Sequence, residues 1–133
     1  MDIQACSIAL FDENYKSVLI AKRSMNKSFP GLWETIGGGR EGDESEEECI
    51  RREVMEELGC RIRDLRMHKP YRTQIRDSVF HVMHFSGRID GDIKIKADEI
   101  AALRWFQEND LDELGFFPEC RRKIEDSFRF VRS

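Results

Sequence analysis

The sequence predicts an α/β fold, a mixed sheet with helices packed on its faces. Short runs rich in Ile, Val and Phe recur at strand length, and two stretches, 45–58 and 118–131, repeat apolar residues at helical spacing. The resulting order is three strands, a helix, three strands and a helix, which suits a sheet covered by helices. At 133 residues the chain is expected to form one domain, 1–133, large enough for a real core.

Residues 3–10 (IQACSIAL) and 17–22 (SVLIAK) read as strands, and FDENYK between them supplies the turn of a hairpin. Lys22 and Arg23 close the second strand, a place where charges ordinarily meet solvent. In 29–39 (FPGLWETIGGG), Pro30-Gly31 marks a turn, and Trp33 and Ile36 are core candidates. Gly37, Gly38 and Gly39 permit close backbone approach and positive φ. Residues 60–67 and 78–87 read as strands. His81 and His84, three apart on a strand, point to opposite faces and cannot share one metal, so they read as structural. Asp90-Gly91, flanked by Ile89 and Ile93, signals a hairpin turn. Residues 101–106 (AALRWF) suggest a last core strand, and 108–114 a short helix. In 118–131, Pro118 suits a first turn, Cys120, Ile124, Phe128 and Val131 make the apolar stripe, and Arg121, Arg122 and Lys123 form a wet face.

The helix at 45–58 carries the chemistry. Ser45 is an N-cap and Glu48 completes a capping box, while Gly59 stops the helix in a left-handed turn. Ile50, Val54 and Leu58 form its apolar stripe. Glu53, Glu56 and Glu57, spaced i, i+3, i+4, share another face, where their charges repel and packing does not require them. A solvated acidic face is the plain explanation. A divalent-cation site is the sharper one, because Mg²⁺ takes oxygen ligands, commonly one or two carboxylates plus substrate phosphates.

Composition limits the alternatives. Apolar residues make up 40% and charged residues 36%, with no 18-residue apolar run to span a membrane and no basic N-terminal segment of a signal peptide. Four scattered cysteines without a C-x-x-C pair fit reduced thiols in the cytoplasm. The net charge of −4 argues against a nucleic-acid partner. An acidic chain acting on a phosphate ester must still offer local positive charge, and bound metal is the obvious source.

Gly38, five residues, Glu44, seven residues, then Arg52-Glu53-Val54-Met55-Glu56-Glu57-Leu58-Gly59-Cys60 resembles the Nudix box, G-x5-E-x7-R-E-U-x-E-E-x-G-U, with U a bulky aliphatic residue. Cys60 at the second U position is a mild departure, since buried Cys behaves as a small hydrophobe. The resemblance implies the α/β/α Nudix sandwich and hydrolysis of a pyrophosphate bond in a nucleoside diphosphate derivative. It implies a nucleoside triphosphate above all, cut to the monophosphate and pyrophosphate with Mg²⁺ or Mn²⁺. By the same resemblance Glu53, Glu56 and Glu57 hold metal, with the Gly37 carbonyl and a carboxylate from the loop KIKADEIAALRWF. Glu99 is favoured there and Asp98 is the fallback. Catalytic roles fall to Glu53 and Glu56, with Arg52 and Glu44 bracing the loop. Substrate contacts fall to Arg23, whose planar fork suits phosphate, and to Gly38 and Gly39. MutT-like members carry Pro before the paired glycines, whereas this chain has Ile36. The expected partner is a small nucleotide, with the protein a monomer or homodimer. A nucleotide-sugar or other diphosphate hydrolase is the alternative, as is a non-catalytic nucleotide-sensing module, although such modules usually lose a box carboxylate. FPGLW resembles isopentenyl diphosphate isomerase, but the box glutamates favour hydrolysis.

Overall fold

The computed structural model describes residues 1–95 and 98–133. Its strands are β1 (Asp2–Phe11), β2 (Ser17–Arg23), β3 (Trp33–Glu34), β4 (Ile36–Gly39), β5 (Arg61–Ile75), β6 (Ser78–Asp90) and β7 (Ile100–Gln107). The helices are α1 (Glu46–Leu58) and α2 (Cys120–Arg132), with a 3₁₀ turn at Glu108–Glu113. One mixed sheet runs β3-β2-β1-β6-β5, with β4 pairing β1 and β7 pairing β2. Only the β1–β6 pairing is parallel. The stretch 29–39, expected as a single strand, divides into β3 and β4.

The period-2 alternation of buried strands feeds two cores. Cys6, Ile8, Leu10, Leu19 and Ala21 pack under α1 with Cys49, Ile50, Val54 and Leu58. Ala9, Phe11, Val18 and Ile20 pack under α2 with Ile124 and Phe128. Each helix thus buries an apolar stripe against one face of the same strands, the dominant favourable contribution to folding. No helix among the described residues is long and apolar enough to cross a membrane.

Three expectations need correction. Asp90-Gly91 makes no hairpin: Gly91 turns at φ +105, and the chain crosses the end of α1, where the Lys94 N–H donates to the Leu58 carbonyl at 2.7 Å. That carbonyl lies past the last intrahelical donor and needs such a partner. The hairpin that does form joins β5 to β6 through Arg76, at φ +55, with no glycine or asparagine to announce it. The strand at 101–106 does form within β7, but it is not a core strand, since Ile100 is its only buried residue. Finally, Gly37, Gly38 and Gly39 lie in extended backbone paired with β1, not at positive φ. Their close approach is real: a Cβ at Gly37 would collide with the Cys6 carbonyl, and one at Gly38 with the Glu53 carboxylate.

Candidate active site

Helix α1 is built as its sequence dictates. The Ser45 hydroxyl accepts from the Glu48 N–H at 3.1 Å, the Glu48 carboxylate accepts from the Ser45 N–H at 2.8 Å, and Gly59 closes the helix at φ +65. This end-to-end definition fixes the rotation of α1, so Val54 and Leu58 enter the core while Arg52 and Glu53 face β4.

Arg52 is the hub. Its Nε and Nη2 grip Glu44 at 3.0 and 2.7 Å, Nη1 reaches Glu53 at 3.0 Å and Glu56 at 3.1 Å, and Nη2 also donates to the Gly39 carbonyl at 2.8 Å. All five guanidinium N–H groups are thereby used. Glu44 further accepts the Glu41 N–H at 2.8 Å, and the Arg52 fork holds its carboxyl down at about 2. Arg52 and Glu44 therefore tie the loop after β4 to the helix. The expected repulsion between Glu53 and Glu56 is relieved because one cation stands between them.

Glu57 is different. It is 9% exposed, and its Oε2 has no hydrogen-bond partner. Burial, then the negative charges of Glu53, Glu99 and Glu34, push its carboxyl up to about 8. Burial likewise raises Glu53, against the pull of Arg52. Glu99 is exposed, but its charge acts on both Glu53 and Glu57, so it stands on their side of the molecule. Asp98 uses its carbonyl to accept from the Ser24 hydroxyl at 3.0 Å. Among the described residues no three His, Cys, Asp or Glu side chains converge into a ready cage, as Glu56 is turned to Arg52. The chemistry of the donor set nevertheless fits a hard cation. A buried carboxylate with a bare oxygen, raised by two neighbouring carboxylates, is the group that a divalent ion relieves most.

A cavity of about 450 Å³ opens beside Gly37, Gly38 and Gly39, under the first turn of α2. Its charged lining is four cations, Arg23, Lys27, Arg76 and Lys123, against one carboxylate, Glu34. An acidic chain thus carries its local positive charge on protein side chains, not on metal alone. Arg23 is not a solvated strand end. It is buried, donates from Nε to the Ser28 carbonyl at 2.7 Å and from Nη1 to Glu34 at 2.8 Å, and lies 4.5 Å over the Phe117 ring. Lys123 is not on a wet face either: it is 6% exposed, turned inward with Cys120 and Ile124.

The structure therefore brings Gly37, Gly38, Gly39, Glu44, Arg52, Glu53, Glu57 and Glu99 together, with Glu56 at the rim and Arg23 in the adjoining cavity. Sequence reasoning missed Lys27, Arg76 and Lys123. Lys123 falls one residue before Ile124 in a helix whose stripe was legible, and that adjacency was the available signal. The histidines are structural as expected: His81 lies at the surface beside Asp2, and His84 is fully buried between Ser7 and Ser127.

The family model for the NUDIX domain matches residues 1–128. The NAD-capped RNA hydrolase NudC of Pseudomonas syringae pv. syringae is 37% identical over 106 residues, covering 77% of this chain and 37% of the relative. The isopentenyl-diphosphate Delta-isomerase of Mycolicibacterium vanbaalenii is 36% identical over 109 residues, covering 76% and 60%. The chain thus spans well under half of the first relative's length. A MutT NUDIX hydrolase from Burkholderia pseudomallei superposes with a TM-score of 0.84 at 21% identity, over 94% of this chain and 97% of that one.

Proposed function

This chain belongs to the Nudix family, and we propose that it hydrolyses a pyrophosphate bond in a nucleoside diphosphate derivative, with a nucleoside triphosphate cut to monophosphate and pyrophosphate. The observation that carries this is Glu57, buried with a bare oxygen beside Glu53 and Glu99 and next to a cationic cavity.

Glu53, Glu57 and Glu99, with the Gly37 carbonyl and Glu56 from the rim, would hold Mg²⁺ or Mn²⁺. When bound, such an ion supplies neutralisation of phosphate oxygens and a more acidic water. The protein's own contributions are distinct. Arg52 pins Oε1 of Glu53 and leaves the other oxygen of that carboxylate outside its grip. Glu53 takes a proton from the attacking water, a step typically worth roughly 10²–10⁴ in rate. As the water oxygen bonds to phosphorus, the bridging P–O bond breaks and its electron pair leaves on the departing phosphate. Arg23 and Lys27 meet phosphate oxygens from the cavity side. Gly38 and Gly39 let the chain of phosphates approach the backbone, which no side chain obstructs.

A panel of nucleoside triphosphates, dinucleotide pyrophosphates and nucleotide sugars, assayed for released phosphate with Mg²⁺ and Mn²⁺, tests this directly. Triphosphate turnover abolished by EDTA is expected. Full activity in excess EDTA would sink the proposal. A second reading, cleavage inside an NAD-type dinucleotide, is favoured by the printed activity of the Pseudomonas relative. Selective turnover of the dinucleotide arm would establish it.

A further inference from the structure

Lys123 projects from α2 into the cavity, 6% exposed, and among the described residues its ammonium makes no hydrogen bond or ion pair. The acceptors nearest to it in the fold are already engaged. His84 has Ser7 on Nδ1 and Ser127 on Nε2, each at 2.7 Å, and the Thr35 hydroxyl lies against the Cys120 thiol at 3.8 Å. The charge is felt nonetheless, since burial and then Lys123 hold His84 well below the usual imidazole range. A buried ammonium without an acceptor costs several kcal/mol, and that cost is ordinarily relieved by a partner.

The cavity also offers flat walls. Phe29 and Phe117 stand edge to face at 5.4 Å, and Phe80 comes from β6. The cation that acts on Glu57 is Lys27, so the phosphate-handling end of the cavity has its own charge, distinct from Lys123. A planar ring lodged between these aromatic walls would bring its polar edge to Lys123.

We propose that Lys123 reads the substrate's base: its ammonium receives a ring oxo group, so guanine and uracil nucleotides are taken ahead of adenine nucleotides. Guanine presents paired O6 and N7 acceptors and uracil presents O4, whereas adenine puts an amino donor where guanine has O6. A donor facing a donor leaves both unpaired, which discriminates far more strongly than a change of size. This inference rests on the nucleotide hydrolysis proposed above.

The test compares kcat/KM for GTP, UTP and ATP in the wild type and in Lys123→Met, with Lys123→Gln as a second variant. The wild type should favour GTP and UTP over ATP by about tenfold or more. The Met variant should bring the ratio near one, with a Tm no lower than the wild type because the buried charge is gone. The Gln variant, whose amide both accepts and donates, should also relax the preference. A ratio unchanged in both variants overturns the assignment, as does a wild type without base preference. Calorimetric binding of GMP and AMP to the metal-free protein separates this from the hydrolytic reading. GMP bound ahead of AMP in the wild type but not in the variants upholds Lys123 even if no pyrophosphate is cut. Hydrolysis with equal GMP and AMP binding upholds the chemistry and overturns Lys123.

Discussion

Under α2, His84 is buried with both ring nitrogens bonded, to Ser7 and Ser127, and Ser127 passes its own proton to the Lys123 carbonyl at 2.7 Å. Under α1, Glu57 is buried with an oxygen bonded to nothing, among other carboxylates. Both helices cover the same sheet, and both sites are buried and polar. The first is complete in itself and stabilises the fold. The second is incomplete, and an incomplete buried polar group marks a place where something else is meant to bind. Neighbouring Arg52 shows that the chain can satisfy charge on that side when it needs to, so the gap at Glu57 is selective.

The largest expected effect breaks the α1 side alone. Glu53→Gln, nearly isosteric, should lower kcat by roughly 10²–10⁴ while the metal-free Tm barely moves. Wild-type turnover in that variant would remove the proton-accepting role. The mirror experiment breaks the α2 side: His84→Ala leaves two buried hydroxyls and a cavity, so stability should fall by about 2–4 kcal/mol while the activity of the folded fraction persists. Equilibrium urea unfolding reads that loss, and an unaltered midpoint would contradict the view that the His84 chain holds the fold.

Acid and base should separate the two sides further, in metal-free protein. His84 is kept neutral when folded, but unfolded it gains a proton below its ordinary value near 6.5, so stability is lost as pH falls through and below that value, by up to about 1.4 kcal/mol per unit. Glu57 is kept protonated up to about 8 when folded, but unfolded it ionises above its ordinary value of 4.5, so its contribution is lost as pH rises from 4.5 to about 8. Glu57→Gln should therefore flatten the alkaline limb of the Tm profile and leave the acid limb alone. Millimolar Mg²⁺ or Mn²⁺ should raise the wild-type Tm by mass action, and by less in Glu57→Gln. An identical metal response in the two proteins would return the cluster to an ordinary acidic surface.

The smallest expected effect concerns the rim. Glu99→Gln should lower kcat by about tenfold at saturating Mg²⁺ and substrate, and Asp98→Asn should not. The reverse outcome would move the role to Asp98, whose carbonyl is the group now seen bonded to Ser24.

The sequence by itself determined what is local. The capping box at Ser45 and Glu48, the left-handed stop at Gly59, the stripe of Ile50, Val54 and Leu58 and the spacing of Glu44, Arg52, Glu53 and Glu57 depend on residues within about two helical turns, so they were legible without a fold. The hairpin of β1 and β2 and the stripe of α2 were legible for the same reason. Only the tertiary structure decided the rest. Arg76 takes a left-handed turn because two long strands pair around it, not because of its own propensity. The Asp90-Gly91 turn finds no partner strand because the Leu58 carbonyl claims the chain beyond it. Arg23 and Lys123, both read as solvated, are buried because separate elements close over them: the 28–34 segment and Phe117 over the first, the sheet under the second. Periodicity tells which residues share a face, but which face is covered, and by what, depends on contacts between residues 85 or more apart, such as Thr35 with Cys120. The carboxylate cluster was therefore readable from one helix, and the cationic cavity beside it was not.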